Sequence, residues 1–157
     1  MEIMDHTGLL WGLSLIVLTL AIHAFAVVML AFAGVKIRVR LDAHGLKVWN
    51  LIAIQICIIG VTGLLLALLH GIECGIWAAV YLWLGAVDSP VDAVLYSIDA
   101  MSTRGASGVV LERPWRMMGA LEAVDGMLLF GVSTAYLFAV MHAYWSMLTA
   151  HAPPRTS

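Results

Sequence analysis

One stretch of the sequence decides the fold, and it reads Asp92-Ala-Val-Leu-Tyr-Ser-Ile-Asp-Ala-Met-Ser-Thr-Arg-Gly-Ala-Ser-Gly108. Its first part predicts a short apolar helix, and the small and polar residues that follow predict a turn. The stretch is too short and too polar to cross a bilayer, which takes about 20 apolar residues. The segments on either side are long enough to cross. A short helix and a turn in this position are typical of a re-entrant loop, whose backbone must be covered by protein or reached by water.

The composition of the whole chain indicates an integral membrane protein. Of its 157 residues, 62% are hydrophobic and 11% are charged, and the mean hydropathy is +0.98. Soluble domains are about 25% charged, so we predict an all-α membrane protein with a single domain. The net charge of −2 says little by itself, and the expected partner is the lipid bilayer, with no nucleic acid. Cys57 lies inside an apolar run, so a disulfide with Cys74 is not expected.

The basic residues predict how the chain is oriented. Lys36, Arg38, Arg40 and Lys47 follow the first apolar segment and have only Asp42 against them. The positive-inside rule places this loop in the cytoplasm. The N-terminus is then expected outside and the C-terminus in the cytoplasm.

Three membrane spans and one re-entrant element account for the apolar segments. Residues 71–85 are rich in aromatic side chains and predict either an interfacial helix or the upper end of the second span. The predicted segments are a first span at 9–33, a cytoplasmic basic loop at 34–47, a second span at 48–69, an interfacial segment at 71–85, the short helix and loop at 91–108, a third span at 115–145 and a cytoplasmic tail at 150–157.

Short motifs on both sides of the loop resemble the pore module of the potassium-channel superfamily. The resemblance is to small bacterial two-pore-domain-like ion-channel proteins that carry one extra N-terminal span. It implies a pore helix, a selectivity filter, an outer-type second span and an inner-type third span. It also implies a homotetramer in the bacterial inner membrane, a monovalent cation as the permeant species and no cofactor. The motifs are Tyr96-Ser97, Trp115-Arg116, Leu121-Glu122-Ala123 and Gly131-Val132-Ser133-Thr134-Ala135.

The loop departs from the filter of that family. Such a filter replaces the water around the ion with stacked backbone carbonyls, and glycine permits the backbone conformations that this needs. We therefore predict an ion-channel-like pore that is not potassium-selective, and no enzyme. The alternative is a non-conducting subunit that assembles with other membrane proteins. Thr103 and Gly105 agree with the family pattern, whereas Arg104 replaces a small aliphatic residue, Ala106 the tyrosine, Ser107 the second glycine and Gly108 the aspartate; Ser102 begins the loop.

Arg104 is the largest of these departures, and two roles are open for it. If its side chain points into a pore, it opposes a cation about 5 Å away by roughly 3 kcal/mol at an effective dielectric of about 20. If the side chain points back, it needs an acidic partner, because an unpaired buried charge is costly. We favour the second role, with Asp99, Glu122 or Asp125 as the partner. Glu122 and Asp125 are three residues apart and share a helix face.

Other features each have a functional and a purely structural interpretation. Gly126 and Gly131 are candidates for a hinge in the third span or for close helix packing. Gly8 and Gly12 form a small-xxx-small pair that favours helix association. The spacing of His70-Gly-Ile-Glu-Cys74 would allow a metal site, but such a triple often arises by chance, so no metal is predicted.

Overall fold

A computed structural model describes residues 6–42, 48–105 and 108–150, and every regular element within these ranges is helical. Ala106 and Ser107 of the predicted loop lie outside the described residues. The elements in chain order are α1 at His6–Asp42, α2 at Val48–Trp83, α3 at Pro90–Met101, a 3₁₀ turn at Arg113–Trp115 and α4 at Arg116–Ala150.

Three of these helices are long and apolar enough to cross a membrane, which confirms the predicted number of spans. With 37, 36 and 35 residues, α1, α2 and α4 each rise through more than about 50 Å, against a hydrocarbon core of about 30 Å. The most apolar window has a mean hydropathy of 2.6 in the first two spans and 1.7 in the third. The third span is the least apolar of the three and contains Glu122 and Asp125.

All three membrane-length helices extend beyond the predicted ends of their spans, and α4 continues to Ala150. The first helix continues through residues 34–42, where a basic loop is predicted, and Arg40 lies in its last turn. Basic side chains suit this position because the C-terminal end of a helix carries partial negative charge. The second helix does not end near Leu69 but continues to Trp83. Residues 71–83 are therefore the upper end of α2, since no proline interrupts its backbone hydrogen bonds.

Ser89 caps the start of α3. Ser89 has an extended backbone, with φ −103° and ψ 129°, and its hydroxyl accepts a hydrogen bond from the backbone N–H of Asp92. Pro90 occupies the first helical position, where its missing N–H costs nothing. With 12 residues, α3 is about 18 Å long and cannot cross the hydrocarbon core.

The chain divides into two compact units. The first unit comprises residues 1–24 and 68–131, and Trp77, Tyr81, Met118 and Leu129 are fully buried in its core. Polar side chains are buried there as well, and they form the networks described below.

The second unit comprises residues 25–67 and 132–157. Leu51 and Leu66 are buried apolar side chains of this unit. It contains an open cavity of about 450 Å³, lined almost entirely by apolar residues from α1, α2 and α4.

Within the first unit, two glycines let α1 approach the start of α4 closely. A Cβ at Gly8 would overlap the carbonyl oxygen of Pro114. A Cβ at Gly12 would lie 2.5 Å from Cδ1 of Leu121. Small residues four apart allow such an approach between membrane helices. The prediction that Gly8 and Gly12 mark a helix contact is confirmed.

Candidate functional site

The predicted filter-like loop begins as a helix cap. The N–H of Thr103 donates to the carbonyl of Ala100 at 2.9 Å, and the N–H of Arg104 donates to the carbonyl of Asp99 at 3.0 Å. These two bonds, with a left-handed residue just after the helix cap, form a Schellman motif. Glycine usually occupies the left-handed position, but here it is Thr103, with φ 58°. A β-branched residue with positive φ is rare and strained.

Further along the loop, the backbone again takes left-handed conformations. Gly105 has φ 78° and Gly108 has φ 100°. A Cβ at either glycine would meet nothing within 4 Å, so packing does not require glycine there, but backbone conformation does. Ser102, Thr103, Arg104, Gly105 and Gly108 are all exposed.

Arg104 lies beside Asp99, one of its three predicted partners. Its Nη1 is 3.5 Å from Oδ1 of Asp99, whose side chain is 8% exposed while that of Arg104 is 71% exposed. In a Schellman motif, the residues at these two positions commonly make an apolar contact. Here an ion pair takes its place. With the arginine so exposed, water screens the pair and its contribution to stability is small.

Glu122 is fully buried and joins α4 to both α2 and α3. The hydroxyl of Tyr81 on α2 donates to Oε2 at 2.8 Å. On α3, Oγ of Ser97 contacts Oε1 and also lies 2.9 Å from the carbonyl oxygen of Cys74. Glu122 therefore stabilises the packing of α3 and has no contact with Arg104 among the described side-chain bonds.

The protons of this network can be counted. The Ser97 hydroxyl has one proton but faces two acceptors, Oε1 of Glu122 and the carbonyl of Cys74. Every contact is satisfied when Glu122 carries a proton, which it donates to Oγ, while Ser97 donates to Cys74. Burial away from water favours this neutral form, because an isolated charge at membrane depth is costly.

Asp125 is also buried, and it joins α4 to α1 and α2. Its Oδ2 accepts a hydrogen bond from the hydroxyl of Thr19 at 2.7 Å and one from Nε1 of Trp77 at 3.0 Å. As predicted, Glu122 and Asp125 lie on one face of α4. Arg104 was predicted as a possible partner of both acids. Their partners are instead hydroxyl and indole groups of the first unit.

Two glycines of α4 bring α3 close to it. A Cβ at Gly119 would overlap the hydroxyl of Tyr96, and a Cβ at Gly126 would overlap the carbonyl oxygen of Met101. Burial raises the pKa of the Tyr96 phenol. Of the two predicted hinge residues, Gly126 thus has a packing role. Gly131 has open space around it, and α4 is continuous through both.

A second polar cluster lies between α1 and α2. Nδ1 of His23 is 2.9 Å from Oε1 of Glu73, and Nδ1 of His70 is 3.3 Å from Oε2 of the same carboxylate. The two imidazole rings are 5.2 Å apart. His23 and Glu73 are fully buried, whereas His70 is 25% exposed. Of the described residues, these three could together hold a metal ion.

This cluster differs from the triple noted in the sequence. His70 and Glu73 belong to it, but Cys74 does not, because its thiol faces Sδ of Met101 at 3.5 Å. His23 takes its place from α1, 50 residues away in sequence from Glu73. A buried His in a span is a signal that sequence analysis can use, but sequence alone does not identify its partner. Sequence analysis likewise did not identify Thr19, Trp77 and Tyr81 as partners of the buried acids.

No protein-family model matches the sequence, and neither a curated protein nor a solved structure matches it. The candidate function therefore depends on the chemistry of the residues described above.

Proposed function

We propose that this protein is an ion-channel-like transmembrane pore of potassium-channel ancestry, in which the filter has diverged and is not potassium-selective. The observation that carries the proposal is the arrangement of α3. This helix lies in sequence between two membrane-length helices, is too short to span, and is held on α4 by the buried carboxyl of Glu122. It ends in an exposed loop with left-handed backbone at Thr103, Gly105 and Gly108.

The exposure of this loop supports a re-entrant arrangement. Irregular backbone at membrane depth needs protein or water around it, and the single chain leaves residues 102–105 uncovered. One chain supplies one loop, so we propose that four copies meet around an axis and that the loops line it. An exposed apolar side of α3 is available to neighbouring copies and consists of Val91, Val94, Leu95 and Ile98.

Arg104 would then control which ions pass. Its guanidinium is largely exposed at the loop and only partly neutralised by Asp99. Four such charges around an axis would oppose cations. The proposed pore therefore passes monovalent cations slowly and without strong selectivity. In the proposed topology the protein lies in the bacterial inner membrane, with the N-terminus outside and the C-terminus in the cytoplasm, as the basic residues at the end of α1 favour.

The test is ion flux through the purified protein in liposomes. Neutralising the loop charge with Arg104→Gln should increase monovalent cation flux several-fold over the unmodified protein. Arg113→Gln is the matched control, because Arg113 is also an exposed arginine but lies outside the loop, and it should leave the flux unchanged. Absence of flux above protein-free liposomes in all three proteins would refute the pore.

The second candidate function is a non-conducting membrane subunit. It is favoured by the helix cap, because the N–H groups of Thr103 and Arg104 and the carbonyls of Asp99 and Ala100 are all used within one chain. A loop whose backbone groups are already bonded within its own chain is suited to a structural role. Native mass spectrometry in nanodiscs would separate the candidates. The pore requires a homotetramer, whereas the subunit is expected to be monomeric until its partner is added.

A further inference from the structure

We propose that His23, His70 and Glu73 form a binding site for a divalent transition-metal ion, with Zn²⁺ as the fitting metal. The inference concerns a cluster in α1 and α2, not the loop, and does not depend on conduction. The three side chains offer two imidazole nitrogens and one carboxylate oxygen, all within 4.8 Å of one another. Two histidines and one glutamate are a known three-ligand set for zinc that leaves a fourth position open.

The distances suit a small ion. With Zn–N and Zn–O bonds of about 2.0–2.1 Å, ligand atoms around a tetrahedral zinc are about 3.3 Å apart. Oε1 of Glu73 lies 2.9 Å from Nδ1 of His23, and its Oε2 lies 3.3 Å from Nδ1 of His70, so each imidazole faces its own carboxylate oxygen. The largest separation in the set exceeds the tetrahedral value by no more than about 1.5 Å. Binding a metal ion would draw the three side chains together by that difference.

The state of Glu73 is the second observation that points to a ligand. Its side chain is fully buried, and its Oε2 accepts no hydrogen bond within the described part of the chain. The nearest donor, Nδ1 of His70, lies 3.3 Å away. A buried carboxylate oxygen without a hydrogen bond is unfavourable. A cation bound between the carboxylate and the two imidazoles would satisfy this oxygen and neutralise the charge.

The cluster also has a path of access. His70 is the partly exposed member, and it lines a cavity of about 340 Å³ together with Ser102, Met101 and Cys74. Water or a small ligand in this cavity could occupy the fourth position. Because Ser102 directly follows α3, the site would lie near the beginning of the candidate pore loop.

Zinc binding can be measured on the full chain in detergent, purified with a tag that contains no histidine. We expect one Zn²⁺ per chain by elemental analysis and by competition with a chromogenic chelator. Replacement by Co²⁺ should produce the visible absorption of a four-coordinate site. Thiolate charge-transfer bands should be absent, because the thiol of Cys74 faces Met101.

The variants separate this site from adventitious binding. His70→Gln removes one ligand at a partly exposed position and should lower zinc affinity by at least about 100-fold, the upper end of what loss of a supporting group costs. His142→Gln is the matched control, because His142 is an exposed histidine on α4 outside the cluster, and it should bind zinc like the unmodified protein. Glu73→Gln should also lose binding.

Two results would overturn the proposal. One is that the unmodified protein binds less than one zinc ion per chain, or binds zinc no more tightly than the His70→Gln variant does. The other is a zinc affinity that falls equally in His142→Gln. In either case the cluster would be a polar histidine–glutamate contact that stabilises the packing of α1 on α2. If Glu73→Gln fails to fold, His70→Gln and the cobalt spectrum still decide.

Discussion

The buried carboxyl of Glu122 offers the sharpest test of how α3 is held in place. We predict that Glu122 is neutral, accepting from Tyr81 and donating its own proton to Ser97, because the one proton of the Ser97 hydroxyl is then available for the carbonyl of Cys74. Glutamine has the same shape and the same capacity, since its carbonyl can accept from Tyr81 while its NH₂ donates to Ser97. Glu122→Gln should therefore change the free energy of unfolding by less than about 0.5 kcal/mol.

Glu122→Leu removes both hydrogen bonds and should be clearly destabilising. The Tyr81 hydroxyl is fully buried, and leaving it without an acceptor costs about 1–3 kcal/mol. Ser97 keeps its bond to the carbonyl of Cys74, so it adds little. Interhelical hydrogen bonds in membranes average only about 0.6 kcal/mol, which places the expected loss at the lower end of this range, at about 1 kcal/mol.

A double-mutant cycle with Tyr81→Phe isolates the pair. Removing the hydroxyl together with the carboxyl leaves no unsatisfied donor, so the double variant should be less destabilised than the sum of the two single variants. We expect the difference to be about 1 kcal/mol. Unfolding by denaturant in a fixed detergent, followed by tryptophan fluorescence, measures all four proteins.

The result for Glu122→Gln decides between a neutral and an ionised Glu122. A loss of more than about 2 kcal/mol would show that a negative charge is required at this position, and the proton count would be wrong. Additive effects in the cycle with Tyr81 would show that the hydrogen bond seen at 2.8 Å contributes nothing to stability.

Thr103→Gly should raise the free energy of unfolding by up to about 1 kcal/mol, because it relieves a left-handed threonine. Ser102→Gly, at φ −79°, should not, and a thermal midpoint that falls in Thr103→Gly would contradict the strain. Gly126→Ala should destabilise by about 1–3 kcal/mol, since its Cβ would overlap the carbonyl of Met101. Gly131→Ala, with open space around it, should stabilise α4 by about 0.5–1 kcal/mol. Equal thermal unfolding midpoints for Gly126→Ala and Gly131→Ala would contradict the packing role of Gly126.

The sequence by itself determined the features that depend on local chemistry. Long apolar segments predict three spans because the bilayer core has a fixed thickness. The cap at Ser89 follows from a serine placed before a proline. The serine hydroxyl accepts a hydrogen bond from an N–H of the first helical turn. That Glu122 and Asp125 share a face follows from the period of the helix. The predicted ends of the spans differ from the helix ends, because hydropathy marks the apolar core and not the last hydrogen bond of a helix.

Only the tertiary structure decided which polar groups meet. Asp125 bonds with Thr19, 106 residues away, and Glu73 contacts His23, 50 residues away. No local pattern predicts such pairs, because they depend on how three long helices are rotated and offset against one another. For the same reason, the sequence could not decide which of three acids is the partner of Arg104. Of these three, the structure places Asp99 beside it. Asp99 is near in sequence and is brought there by the helix cap; Glu122 and Asp125 are used elsewhere in the bundle.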